Sequence, residues 1–141
     1  MTGTGEKRIR DNFNKQGFMR TLGAELMLIE KGKVIIQCLF NEGLSQQNNY
    51  FHAGVMTSIV DSACGYAAYT MMPDDADVLT VEFKINFLKP AKASKILTIG
   101  KVVQAGKTLV ICEGIVTNES QDIVFAKMTA TLISIVNRAG H

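Results

Sequence analysis

Polar and apolar positions along this chain fall into runs of different period, and each period predicts an element. Val81, Phe83, Ile85 and Phe87 alternate with Thr80, Glu82, Lys84 and Asn86, which predicts a strand with one apolar and one polar face. Residues 95–105, 108–117 and 123–136 read as three further strands, turned at "QAGKT" and "NESQD". Upstream, "ELMLIEKGKVIIQCLF" over residues 25–40 gives two β-rich runs separated by "EKGK", where Gly32 supplies the positive φ of a hairpin turn. Residues 5–16 read as a short polar helix with Ile9 and Phe13 at i, i+4 as an apolar edge. The end, "NRAGH", reads as a polar tail.

Residues 48–73, "NNYFHAGVMTSIVDSACGYAAYTMMP", follow the loop "NEGLSQQNN" and are of helix length, closed by Pro73. Ala, Gly, Ser and Thr dominate, so a sheet can approach closely on all sides. A membrane span is rejected, because Asp61 stands near the middle and Leu/Ile/Phe bulk is thin. The order strand, strand, buried helix, four strands predicts an α+β fold: a curved antiparallel sheet of about six strands wrapped around one long central helix.

At 141 residues there is room for one domain and its core, with residues 1–21 as an accessory segment. A hydrophobic share of 47% against 20% charged residues excludes disorder. The net charge of +2, with no basic stripe, argues against a nucleic-acid surface. Cys38, Cys64 and Cys112 lack CxxC spacing and the histidines are His52 and His141, so neither a disulfide framework nor a metal site is expected. The polar start without an apolar signal core, together with these thiols, predicts a cytoplasmic protein.

Between Phe51 and Pro73 the one formal charge is Asp61. A buried carboxylate costs several kcal/mol unless it is paired, hydrogen-bonded or used. It could cap locally or bond Ser58 or Ser62. The surrounding motif offers a use.

"HAGVMTSIVDSACG", with "VEFKINFLKPAKA" downstream, resembles the hotdog-fold acyl-CoA thioesterases of the phenylacetic-acid-degradation type, over roughly residues 22–136. In that family a His-Gly-Gly or His-Ala-Gly turn opens the central helix, an Asp lies nine residues beyond the His, and a strand ends in Pro-Ala. Here His52, Asp61, Pro90 and Ala91 match. The resemblance implies that Asp61 is general base or nucleophile and that the Ala53 N–H is the oxyanion donor; the family commonly has Gly there, but only the N–H is needed. It further implies a side-chain amide at Gln46, where the family often has Asn and where Gln47, Asn48 and Asn49 are rivals, and a hydroxyl at Thr80, where the family often has Ser. His52 is expected to orient the turn.

The substrate so implied is an acyl thioester of coenzyme A, with no other cofactor. Lys89, Lys92 and Lys95 around the Pro90 turn, with Lys101 and Lys107 flanking "VVQAG", form a basic rim for its phosphates or a solvated edge that discourages strand addition. Gly106 is expected to make the hairpin turn and let a ligand pass close, and Ala91 is a further candidate for contact with coenzyme A; "QAGKT" lacks the first Gly of a P-loop. Met56, Met71, Met72 and Phe87 are candidates for an acyl pocket or for packing.

Helix-start N–H groups and the macrodipole suit an oxyanion hole without charged side chains. Asp61, however, stands nine residues beyond His52, roughly 13 Å along the same helix at 1.5 Å per residue. One helix cannot offer both groups to one carbonyl. Two antiparallel central helices can, which requires a homodimer with shared sites. The family pairs this way, and the resemblance further implies a dimer of dimers. Two other functions fit the same residues: a hotdog acyl-thioester dehydratase or hydratase, which would form an alkene rather than release thiol, and an acyl-CoA-binding module without turnover.

Overall fold

The structure, a computed structural model, describes residues 3–136; the expected tail from Asn137 to His141 lies outside the described residues. Two short helices, α1 (Gly3–Asn14) and α2 (Gly17–Leu22), precede the strands β1 (Ala24–Glu30) and β2 (Lys33–Leu39). A 3-10 turn at Glu42–Leu44 leads to the central helix α3 (Ala53–Tyr69), and then come β3 (Ala76–Phe87), β4 (Lys95–Ala105), β5 (Leu109–Thr117) and β6 (Val124–Val136). All neighbouring strands are antiparallel, in the order β1-β2-β4-β5-β6-β3. This is the hotdog fold, with the sheet curved around α3.

Close approach of sheet to helix depends on two glycines. A Cβ built on Gly100 would lie 2.4 Å from the Ala63 carbonyl group, and one on Gly114 would lie 2.6 Å from Val60 Cγ2 and 2.8 Å from Cys64 Sγ. Gly100 on β4 therefore leaves room for the backbone of α3, and Gly114 on β5 for its side chains. Ile59, Val60, Ala63, Cys64, Ala67 and Ala68 of α3 are fully buried. Gly32 has φ 79° in the β1–β2 turn, and its N–H donates to Thr70 Oγ1 at 2.7 Å, which ties the hairpin to the end of α3.

Two features differ from the sequence reading. α1 runs from 3 to 14 rather than 5 to 16, and α2 follows as a separate turn, ended by Gly23 at φ 73° with its N–H on the Arg20 carbonyl. At six residues α2 is too short for its periodicity to announce it. The apolar face expected on β3 is uncovered: Val81 is 55%, Phe83 43% and Phe87 46% exposed, because β3 forms one edge of the sheet and α3 shields only part of it.

Candidate active site

His52 sets the start of α3. Its extended backbone (φ −63°, ψ 138°) and the 2.8 Å bond from Gly54 N–H to His52 Nδ1 make it the N-cap. The N–H groups of Val55 and Met56 reach the His52 carbonyl at 3.0 and 3.3 Å. The Ala53 N–H alone in this first turn has no acceptor among the described residues, and it is at the positive end of the helix. A carbonyl oxygen gaining negative charge would find its donor there.

Around that N–H is a cavity of about 390 Å³ lined by Gln46, Tyr50, His52, Ala53 and Met56 on one side and by residues 87–91 on the other. Gln46 is the amide that lines it; Gln47, Asn48 and Asn49 do not. Its Oε1 accepts from Asn48 N–H at 2.5 Å and Tyr50 N–H at 3.2 Å. That bracing of the loop leaves Nε2 without a partner among the described residues. Lys89 stands at the wall and Ala91 is buried behind it, its carbonyl receiving Phe51 N–H at 3.2 Å.

Asp61 lies elsewhere. It is half-buried in a second cavity of about 180 Å³, together with Ser62, Gly65 and Tyr66 of α3, Val78 and Thr80 of β3, Leu132 of β6, and Asn12 and Gln16. Thr80 Oγ1 donates to Asp61 Oδ1 at 2.9 Å. Burial pushes the Asp61 carboxyl above its ordinary value, and the Thr80 hydroxyl pulls it part of the way back. Neither Ser58, whose hydroxyl returns to the Gly54 carbonyl, nor Ser62 holds the acid.

The structure thus brings together His52, Ala53, Gln46, Lys89 and Ala91 in one concavity, and Asp61 with Thr80 in another. Lys92 lies in a separate polar groove with Lys95 and Asn118. Gly106 and Lys107 belong to the β4–β5 turn, where Gly106 N–H bonds the Leu109 carbonyl at 2.8 Å, away from either cavity. Met56 and Phe87 line the Ala53 cavity, Met72 is in the core and Met71 is exposed. Tyr66, which its spacing after Asp61 marks as packing or pocket lining, lines the Asp61 cavity, whereas Asn12 and Gln16 were not singled out as site residues by the sequence. The spacing of Ile9 and Phe13 placed a docking edge on α1 without showing what it docks against.

All three cysteines are buried and free. Burial pushes the Cys38 thiol up to about 11 and that of Cys112 up to about 12, and raises Cys64 as well, so packing is their use rather than nucleophilic attack. Among the described residues no group of three His, Cys, Asp or Glu is placed to hold a metal ion, and no helix is long and apolar enough to cross a membrane.

Comparison with known proteins agrees with this architecture. The family model described as the thioesterase superfamily matches residues 48–125, the stretch from the loop before α3 into the start of β6. A thioesterase family protein from Silicibacter pomeroyi has a solved structure that is 37% identical, with TM-score 0.91, covering 94% of this chain and 99% of its own. The E. coli PaaI protein from the phenylacetic acid degradation operon shares the fold at TM-score 0.84 and 17% identity, covering 93% of each chain. The 1,4-dihydroxy-2-naphthoyl-CoA hydrolase of Listeria monocytogenes is 26% identical over 108 residues, 77% of this chain and 88% of its own.

Proposed function

The chain belongs to the thioesterase superfamily, and from that premise we propose that it hydrolyses acyl thioesters of coenzyme A as a homodimer with two shared sites. The observation that carries this reading is the separation of the Ala53 N–H from the Asp61 carboxyl into two cavities of one chain. Each cavity holds half of what thioester hydrolysis needs. Ala53 and Asp61 are eight residues apart on α3, about 12 Å along its axis. A second copy with its central helix antiparallel brings its Asp61 opposite this chain's Ala53.

The uncovered edge of β3 supports such pairing. A twelve-residue edge strand with exposed Leu79, Val81, Phe83 and Phe87 presents unpaired backbone groups and apolar area together, which natural monomers avoid. The Listeria relative, named for hydrolysis of a coenzyme A thioester, supports coenzyme A as the thiol.

In the proposed reaction the thioester oxygen accepts a hydrogen bond from Ala53 N–H, with Gln46 Nε2 as second donor. Asp61 of the opposite chain, oriented by Thr80, either deprotonates a water that adds to the carbonyl carbon or attacks that carbon itself. The C–S bond breaks and coenzyme A leaves as the thiol: in the first case its proton comes from the attacking water by way of Asp61, and in the second the thiolate takes a proton from solvent and water hydrolyses the Asp61 anhydride, freeing the acid and regenerating the carboxylate. His52 caps the helix and takes no proton. Lys89 faces the coenzyme's phosphates; Lys92, Gly106 and Lys107 stand outside the proposed site.

The test is a panel of short, medium, long and aromatic acyl-CoAs with free thiol as the readout, comparing the parent protein with Asp61→Asn. The expected result is thiol release that falls about 10²–10⁴-fold in the variant while its circular dichroism is unchanged. Equal rates in parent and variant, or formation of a conjugated alkene in place of thiol, would overturn the reading.

A further inference from the structure

The cavity that holds Asp61 is closed at its far end by the N-terminal segment. Ile9 and Phe13 of α1 are buried, with the Phe13 ring edge-on to Tyr66 at 5.8 Å. Arg8 fixes the same helix to the end of α3: its guanidinium lies 4.0 Å over the Tyr69 ring and donates to the carbonyls of Tyr69, Met72 and Pro73 at 2.9, 3.3 and 3.0 Å. That anchoring sets two amides into the cavity wall. Gln16 Nε2 donates to the Tyr66 hydroxyl at 2.7 Å, and that hydroxyl donates to Asn12 Oδ1 at 2.9 Å.

The phenol is therefore fully engaged, but each amide keeps one polar atom. Asn12 Nδ2, a donor, and Gln16 Oε1, an acceptor, have no partner among the described residues, and both residues line the same cavity as Asp61. Tyr66 follows Asp61 by five residues, about 7.5 Å along the axis of α3, and both line this cavity. The cavity, of about 180 Å³, puts Asn12 and Gln16 on the same wall system as Asp61 and Thr80, where the acyl part of a bound thioester would lie.

On the thioesterase reading above, we infer that Asn12 and Gln16 are specificity-determining residues. The N-terminal segment selects an acyl group that carries a hydrogen-bonding group, such as a hydroxyl, at the end remote from the thioester. A plain hydrocarbon end would replace water at these two amides without replacing its hydrogen bonds, and a polar end makes the exchange even.

The experiment compares kcat/KM for hexanoyl-CoA and 6-hydroxyhexanoyl-CoA in the parent, Asn12→Ala, Gln16→Ala and the double variant. The ratio for each protein is internally normalised, because partial unfolding lowers both rates alike. The expected parent ratio favours the hydroxylated substrate, and each substitution lowers that ratio by about 3- to 10-fold. A parent that hydrolyses both substrates with a ratio near one, or a ratio unmoved by the double variant, would overturn this inference and leave the thioesterase reading standing. A parent that hydrolyses neither these nor any acyl-CoA of the panel would overturn both.

Discussion

Asp61 is under two opposed influences, and the pH dependence follows from their sum. Burial raises its carboxyl above the ordinary 3.8 and the Thr80 bond lowers it again, with burial the larger effect. The folded protein therefore holds this proton more tightly than the unfolded chain does. Its contribution to stability is fully present below the ordinary carboxyl value and is lost as pH rises through the raised folded value. Asp61→Asn should accordingly raise Tm relative to the parent at pH 7, and the gain should vanish below pH 3.8, as followed by thermal melts at both pH values. In the proposed mechanism the ionised form is the active one, so kcat/KM should fall on the acid side as pH drops through that raised value. Thr80→Val removes a bond that favours the carboxylate and should move the acid limb to higher pH, whereas Thr80→Ser should leave it in place; a limb that stays put in the valine variant contradicts the role given to Thr80. At this scale the placement of His52, Ala53 and Asp61 along one helix was legible in sequence, because it follows from local spacing. Asn12 and Gln16 were not, since the Tyr66 hydroxyl they bond lies 54 and 50 residues away.

Strand β3 carried an ambiguity that alternation alone could not resolve. With strict period two, Thr80 belongs to the polar face, opposite Phe83, Ile85 and Phe87, and could not reach the helix those residues face. The register shift between Thr80 and Glu82 removes the conflict: Thr80 pairs with Leu132, and after the bulge Phe83 pairs with Ala130 and Ile85 with Met128. Leu132, Ala130 and Met128 are all buried on the side of α3, so Thr80 and the phenylalanines share that side. A bulge beside a candidate site re-aims one side chain and is invisible to a pattern count. The glycines on β4 and β5 were legible only as small residues within strands; what they accommodate required the helix to be in place. Gly100→Ala drives a methyl group into the α3 backbone rather than a flexible side chain, so it should cost about 1–3 kcal/mol and lower Tm by roughly 3–10 °C in calorimetry. An unchanged Tm would show that helix and sheet are not held as closely as described.

Six strands wrapped around one central helix were foreshadowed by strand count and by a helix too rich in small residues to be amphipathic. The order β1-β2-β4-β5-β6-β3, which leaves β3 on an edge, was not, because nothing local in β3 distinguishes an edge from a centre. On the proposed reading that edge is where a second copy docks: its apolar side chains are exposed, and Asp61 and Ala53 line different cavities. Shared sites make a direct demand on mixed dimers. Ala53→Pro removes the donor N–H with little harm to the helix, since proline is accepted at its first position and His52 already has the extended backbone that precedes a proline. Asp61→Asn and Ala53→Pro should each be inactive alone. Denatured together in equal amounts and refolded, they should recover about a quarter of the parent's rate, because half of the dimers are mixed and each mixed dimer has one intact site of two. No recovery, with mixed dimers verified by mass spectrometry, would place both groups in the same chain's site and contradict the division of the active site between two copies.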